Sequence, residues 1–256
     1  DKVMPNLAMA DTPPELVKHQ VLCHLDVLKE AVGVKTIDDR GLEMMLPPEE
    51  EAKAAALWQQ EFAPEAKVVA FNIGASWQTK RWLDRYFAAC ADRFIREGYD
   101  VAFMGGPTDV PLVEKCCAQM EEKASSHVHI FTGKVSLTVL AGLLRRCSLF
   151  LTTDSGPMHV GVAMNVPIVT MFGASPVPTF YPYDGKDVLI KTPEKCHPCG
   201  IHECPRKGQD NMACMKNIPV DTVMKYAEEL LAAHDGAPAY EWPPHPGDYK
   251  CRVIEL

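Results

Sequence analysis

The six residues Asp154–His159 have the composition of a turn that could bind an anion. They read Asp-Ser-Gly-Pro-Met-His and lie between two short apolar runs, Leu149–Thr152 and Ile168–Phe172, so the pattern predicts a strand, a turn, a helix and a second strand. Asp and Ser are common at helix starts, Gly156 leaves the backbone open to a ligand, and Pro157 suits a first helical turn. Unpaired N–H groups at such a helix start attract phosphate. The segment therefore predicts a diphosphate site, although a helix cap and a tight turn would account for the same residues.

A second candidate, Lys80, follows another apolar run. Val68–Ile73 is the first predicted buried strand, and the turn Gly74–Trp82 after it contains the basic pair Lys80-Arg81. Ligands bind at the carboxyl ends of the strands in an open parallel sheet, so the Lys80 ammonium stands where it could neutralise a phosphate. Taken alone, a Lys-Arg pair is typical of solvated surface. Combined with unpaired amides after Thr153, Lys80 predicts a pocket of positive potential.

A cysteine-rich stretch is the third candidate site. Four of the ten cysteines are separated by two, four and nine residues, a spacing that could hold a tetrahedral zinc ion. These residues are Cys196, Cys199, Cys204 and Cys214. Reduced thiols and disulfides are the two alternatives to a structural zinc site.

Strands and helices alternate from Lys67 onward, which indicates a parallel α/β sheet. Before this region, an amphipathic helix is predicted over Glu15–Val32 and a second helix over Glu49–Phe62. We expect three parts: residues 1–48 as a linker and an amphipathic helix, residues 49–235 as an α/β domain, and residues 236–256 as an irregular Pro-rich strap. The further predicted strands are 100–104, 129–131 and 188–190, and the further predicted helices are 83–97, 110–123, 137–146 and 219–234.

Composition excludes several classes of protein. The 256 residues carry a net charge of −8 with no basic run, which argues against a nucleic-acid partner. No apolar run reaches the ~20 residues needed to cross a bilayer. The sequence therefore predicts a cytoplasmic protein, with peripheral attachment to the inner membrane as a further expectation.

Three motifs together resemble those of one known family. The first is the Asp154 turn with Phe172-Gly173 and Pro176 after the next strand, and the second is the Lys-x-Trp that begins at Lys80. The third is Thr-Gly-Lys at 132–134, followed by Ser-Leu and a helix rich in Ala and Leu. Over about residues 15–231, the sequence resembles the ADP-heptose:lipopolysaccharide heptosyltransferases, glycosyltransferase family nine. The resemblance implies an α/β fold with a Rossmann-like parallel sheet flanked by helices, the carboxyl-terminal donor half of a two-domain GT-B architecture. It also implies that residues 1–48 are the remnant of, or the bridge to, an amino-terminal acceptor domain and that residues 49–235 are the nucleotide-sugar-binding domain.

The resemblance also implies which residues contact the donor, a nucleoside-diphosphate sugar such as ADP-heptose. In the family, the matching Lys bonds the diphosphate, the Asp turn contacts the diphosphate and sugar, and the turn after the third strand borders the base. The donor-binding residues implied here are Ser76, Thr79, Lys80, Val135, Asp154, Ser155, Gly156, Pro157, Met158 and His159. One position departs from the family, since Pro107 stands where an acidic residue reaches the ribose, and Asp109 lies close by.

The activity implied by the resemblance is transfer of heptose or a similar sugar, with inversion, to a lipid-linked saccharide acceptor of the lipopolysaccharide type. In the family, a Gly-Asp motif in the amino-terminal acceptor domain supplies the base, and this sequence has no matching motif. We therefore expect no catalytic residue in this chain, no activity without the acceptor domain, and no cofactor requirement. The alternatives are a non-catalytic nucleotide-sugar-binding module and, less favoured, a sugar epimerase of related fold.

Overall fold

The computed structural model describes residues 17–234 and 250–256, and its centre is a seven-stranded parallel sheet. The spatial order is β3-β2-β1-β4-β5-β6-β7, and every neighbouring pair is parallel. The strands are β1 Val68–Asn72, β2 Asp100–Met104, β3 Val128–Ile130, β4 Leu149–Thr153, β5 Ile168–Met171, β6 Val188–Lys191 and β7 Arg252–Glu255. Strand order reverses between β1 and β4, which makes their carboxyl ends the switch point where such sheets bind ligands.

Helices cover both faces of the sheet. The longer helices are α1 Gln20–Val32, α2 Pro48–Glu61, α3 Asp84–Arg96, α4 Val110–Ala118, α5 Leu137–Leu144, α6 Gly156–Ala163 and α9 Val220–His234, and the short ones are α7 Val177–Phe180 and α8 Ala213–Lys216. Helices α3, α4 and α9 pack on one face, whereas α2, α5 and α6 pack on the other. Among the described residues, no helix is both long enough and apolar enough to span a bilayer.

The central strands are apolar on both faces because both faces are covered. In β1, Val69 and Phe71 enter one core cluster while Val68 and Ala70 enter the other, and all four are fully buried. Successive side chains of a strand point to opposite faces, so a continuous apolar run is what a sheet covered on both sides requires. This pattern makes the strands predictable from sequence.

The predicted α/β fold class is confirmed, with strand ends that differ by one residue at most from β1 to β6. Helix α4 is shorter than predicted, because the chain leaves the helix at Ala118 and turns before β3. The prediction of an irregular strap is wrong for Arg252–Glu255, which pair with β6 as the edge strand. The helix predicted over Glu15–Val32 begins at Gln20, and Glu15 and Leu16 lie outside the described residues. The part of the predicted strap up to residue 249 also lies outside them.

Candidate functional site

Three loops converge at the carboxyl ends of β1, β4 and β5. Strands β1 and β4 are neighbours, with Asn72 opposite Thr152, and β4 pairs with β5 with Thr153 opposite Met171. The loop after β1 carries Lys80, and the loop after β4 carries the Asp154 turn. The topology therefore brings together the two segments that the sequence indicated as an anion site.

Lys80 and Asp154 form a buried ion pair at this edge of the sheet. Lys80 Nζ lies 2.8 Å from Asp154 Oδ2, and only 14% of the Lys80 side chain and 5% of the Asp154 side chain are exposed. The ammonium also lies 4.5 Å from the centre of the Trp77 ring and 5.6 Å from that of Phe180, distances typical of cation–π contacts. Lys80 thus lies beside the start of α6, as predicted. Asp154 balances its charge, so Lys80 reaches the start of α6 as one member of an ion pair.

Asn72 ties the loop after β1 to the start of α6. Its Nδ2 donates to the Gly74 carbonyl at 3.1 Å and to Ser155 Oγ at 2.9 Å, and Ser155 Oγ in turn donates to the Thr153 carbonyl at 3.2 Å. Thr153 Oγ1 donates to the same Gly74 carbonyl at 2.9 Å. Asn72 is 1% exposed, and no partner for its Oδ1 is found in the described part of the chain. These bonds fix the Ser155 hydroxyl relative to the loop that carries Lys80.

The start of α6 offers an open amide at Gly156. Across residues 17–234 and 250–256, no hydrogen bond is found for the Gly156 N–H, and a Cβ at Gly156 would meet no atom within 4 Å. Pro157 has no N–H to offer. Met158 is fully buried, and its N–H donates to the Ser155 carbonyl at 3.1 Å. The Met158 side chain packs in the core, and its amide is bonded within the first helical turn. The prediction that Met158 contacts the sugar donor is therefore wrong for both groups.

His159 lies in the first turn of α6, where it is partly buried and interacts electrostatically with Lys80 and Asp154. Burial lowers its pKa, the Lys80 charge lowers it further, and the Asp154 carboxylate acts in the opposite direction. The imidazole is therefore neutral at pH 7 and carries one N–H that could donate to a phosphate oxygen.

Thr79 is held by the cysteine-rich segment and is not open to a ligand. Its hydroxyl donates to the Ile201 carbonyl at 2.5 Å, its N–H donates to the His202 carbonyl at 3.3 Å, and the residue is 2% exposed. The prediction that the Thr79 hydroxyl contacts a donor is therefore wrong in this arrangement. Ser76 is exposed on the same loop, where its hydroxyl has access to solvent.

Asp109 lies over the end of β1. Its Oδ2 accepts the Gly106 N–H at 3.0 Å, and a Cβ at Gly74 would lie 2.1 Å from its Oδ1. The carboxylate thus reaches the site edge from the loop after β2, while Pro107 is exposed. Val135 lines a groove of about 410 Å³ at the outer edge of the sheet, and neither Lys80 nor Asp154 lines that groove. That groove is also lined by Leu57, Glu61, Val128, His129, Ile130, Phe131 and Lys134.

The cysteines are free thiols, and no disulfide joins any of the ten. Cys196 is exposed, whereas Cys199, Cys204 and Cys214 are partly buried. Burial and the neighbouring thiols raise the pKa of Cys214 to about 11. In the part of the chain that the structure describes, no three metal-ligating side chains are placed to hold an ion, so the structure does not assemble the predicted zinc site.

Sequence reasoning missed three contributors to the site: Asn72, Trp77 and Phe180. Asn72 gave a usable signal, since it is a polar residue inside an apolar strand run. Phe180 gave none, because its contact with Lys80 joins two segments that are 100 residues apart in sequence. Trp77 lies three residues before Lys80, but the sequence does not show that its ring faces the ammonium.

The sequence matches one protein family and several individual proteins. The family profile described as "Glycosyltransferase family 9 (heptosyltransferase)" matches residues 4–209. Lipooligosaccharide heptosyltransferase 2 of Campylobacter jejuni is 29% identical over 167 residues, which cover 64% of this chain and 51% of that protein. Lipopolysaccharide heptosyltransferase 2 of Escherichia coli K12 is 30% identical over 125 residues, which cover 48% of this chain and 36% of that protein. The chain spans about half the length of the curated relatives it matches.

Solved structures show the same fold. A family 9 glycosyl transferase from Veillonella parvula matches with a TM-score of 0.69 and 30% identity over 84% of this chain and 60% of that one. Escherichia coli ADP-heptose lipopolysaccharide heptosyltransferase II matches with a TM-score of 0.62 and 23% identity over 76% of this chain and 54% of that one. The profile covers most of the chain, and the motifs around Lys80 and Asp154 lie within it. This chain belongs to glycosyltransferase family 9, the heptosyltransferase family.

Proposed function

We propose that this chain forms the donor-binding part of a glycosyltransferase that moves heptose or a similar sugar, with inversion, from a nucleoside diphosphate such as ADP to a lipopolysaccharide-type acceptor. One observation carries the proposal: the Lys80 ammonium lies beside the start of α6, 2.8 Å from Asp154. A diphosphate leaving group gains negative charge as the sugar departs, and a fixed cation at a helix start stabilises that charge.

Each residue at the site has a distinct part in this proposal. The Lys80 ammonium has three N–H donors, so it can keep Asp154 and also bond a phosphate oxygen. The open Gly156 amide is a second donor, and the neutral His159 ring is a third. Asp154 orients Lys80, and its carboxylate also suits hydroxyl groups of the donor sugar.

The rest of the reaction needs groups from outside the described site. We propose that an amino-terminal acceptor domain supplies the base and binds the lipid-linked acceptor, with residues 1–48 as the bridge to it and residues 49–235 as the donor domain. The transfer uses no cofactor in this proposal, because Lys80 and α6 supply the charge stabilisation. We place the reaction in the cytoplasm, at the inner face of the membrane.

A thermal-shift series tests the donor class directly. Binding at a hundred times Kd stabilises a protein by about 2.7 kcal/mol. For a chain of this size that stabilisation raises Tm by roughly 5–11 °C. We expect ADP and ADP-sugars to give such shifts and AMP, which lacks the second phosphate, to give a much smaller one. Equal shifts with AMP and ADP, or none with any nucleoside diphosphate or its sugars, would contradict the proposal.

A further inference from the structure

The segment Cys196–Cys204, here called the Cys loop, lies against the turn that carries Lys80. The Ile201 and His202 carbonyls accept the Thr79 hydroxyl and the Thr79 N–H. The His202 ring stacks on the Trp77 ring at 4.2 Å between centres, and Trp77 is one of the two rings that contact the Lys80 ammonium. Trp77 and Thr79, which both precede Lys80 in its turn, are thus held by one loop that is distant in sequence.

The same loop is also attached to the segment after β5. The Gly200 N–H donates to the Ala174 carbonyl at 3.0 Å, and His197 Nδ1 donates to the Gly173 carbonyl. Gly173 itself packs on the Lys80 turn, since a Cβ there would lie 2.5 Å from the Thr79 carbonyl oxygen. In the sheet, β1 and β5 are the two neighbours of β4. The Cys loop therefore connects the segments that flank the Asp154 turn on both sides.

Thr79 forms the hydrogen bonds that connect the Cys loop to the Lys80 turn. It is 2% exposed, so the bond from its hydroxyl to Ile201 is shielded from water. When a buried carbonyl loses its hydrogen-bond donor, the penalty for removing it from water is no longer offset by a hydrogen bond. A change at Thr79 would therefore release the loop and, with it, the position of the adjacent Lys80.

We propose that the Cys loop is a positioning element for Lys80, coupled through Thr79, and that its packing favours binding of the nucleoside diphosphate. The inference rests on the proposed function, because it needs the diphosphate to contact Lys80. Coupling between two sites is reciprocal: if a packed loop favours the bound diphosphate, the bound diphosphate must favour the packed loop. Alkylation of a loop thiol then weakens diphosphate binding, and a bound diphosphate slows the alkylation.

The test compares Thr79→Val with Thr79→Ser in the full chain. Val keeps the branched shape and removes the hydroxyl, whereas Ser keeps the hydroxyl. Coupling free energies are typically worth 5- to 150-fold in affinity, so we expect ADP to bind to Thr79→Val about 5-fold more weakly or worse, and to Thr79→Ser within about twofold of wild type. Calorimetry gives the two Kd values, and thermal unfolding shows that each variant is folded.

A second measurement reports how accessible the thiols of the Cys loop are. The chain is labelled with a maleimide, with and without saturating ADP, and the labelled peptides are quantified by mass spectrometry. We expect ADP to slow labelling of Cys196, Cys199 and Cys204 in the wild-type chain and to lose that effect in Thr79→Val, while Cys23 on α1 labels at one rate throughout. A role for Thr79 in stability alone would not produce protection that depends on ADP.

The outcomes separate the two proposals. If the wild-type chain binds no nucleoside diphosphate, the proposed function fails and this inference fails with it. If the wild-type chain binds ADP, but Thr79→Val binds it equally well or ADP leaves labelling of the Cys loop unchanged, only the inference fails.

Discussion

Removal of the Lys80 charge should damage stability and ligand binding by separate routes. In Lys80→Met, the Asp154 carboxylate keeps its burial, with 5% of the side chain exposed, and loses the ammonium 2.8 Å away. Apart from the Lys80 ammonium, no partner of Asp154 Oδ2 is found within the described residues. Loss of one partner from a buried pair costs about 3–5 kcal/mol because the other charge is left unpaired. At roughly 2–4 °C per kcal/mol, Tm should fall by at least about 6 °C.

A second substitution separates this stability loss from the binding loss. In Lys80→Met with Asp154→Asn, no buried charge is left, so most of the lost stability should return. Affinity for ADP should stay low, because a hydrogen bond to a charged group contributes about 1.5–3 kcal/mol, or about 10- to 150-fold in Kd. Lys123→Met, at an exposed lysine in the turn before β3, is the matched control and should change neither quantity.

Differential scanning calorimetry and isothermal titration with ADP measure the two effects on the same samples. The reasoning is refuted if the double variant binds ADP as tightly as wild type. It is refuted equally if Lys80→Met melts at the wild-type temperature, since the pair would then contribute nothing to the fold.

Four further predictions follow. Asn72→Leu and Ser155→Ala should each weaken ADP binding, and the double variant should bind no more weakly than the poorer single variant, because Asn72 acts through the Ser155 hydroxyl; additive losses by calorimetry would contradict this link. Burial raises the pKa of Asp187 well above its usual value, so the folded state holds the extra proton and unfolding free energy should fall as pH rises above about 4, a dependence that Asp187→Asn should remove in urea titrations. Burial lowers the pKa of His19 to about 4, so the unfolded state takes up the proton first and stability should be lost as pH falls from 6.5 toward 4; urea titrations of His19→Gln should show a smaller loss, and an unchanged one would contradict this account. Since no three metal-ligating side chains lie close enough to hold an ion within the described residues, we expect less than about a tenth of an equivalent of zinc in purified, folded protein, and stoichiometric zinc by elemental analysis would overturn that expectation.

Sequence was sufficient for the sheet and for the location of the site. The strands β1, β2, β4 and β5 are short runs that are buried on both faces, so each appears in sequence as a mostly apolar run without polar alternation. Since parallel strands end at one edge of a sheet, the turns after β1 and β4 had to meet. The edge strand Arg252–Glu255 was missed because four residues of mixed polarity after a Pro-rich stretch carry little periodic signal.

The state of each site residue depends on contacts that sequence does not show. Lys80 and Asp154 are 74 positions apart, and their pairing follows from side-chain reach at the carboxyl ends of β1 and β4. Thr79 looked like a free hydroxyl beside Lys80, but the Cys loop, more than 100 residues away in sequence, takes both its donors. Nothing in the sequence shows that His19 is buried, yet its Nε2 donates to the Tyr181 carbonyl at 2.9 Å and its ring is buried between Tyr181 and Tyr183.

The most direct measurement of the central claim is a crystal structure of the chain with ADP bound. The account predicts that the diphosphate lies at the start of α6, with a phosphate oxygen within hydrogen-bonding distance of both Lys80 Nζ and the Gly156 N–H. A diphosphate bound elsewhere, with the ion pair between Lys80 and Asp154 closed and no phosphate contact to either donor, would contradict it.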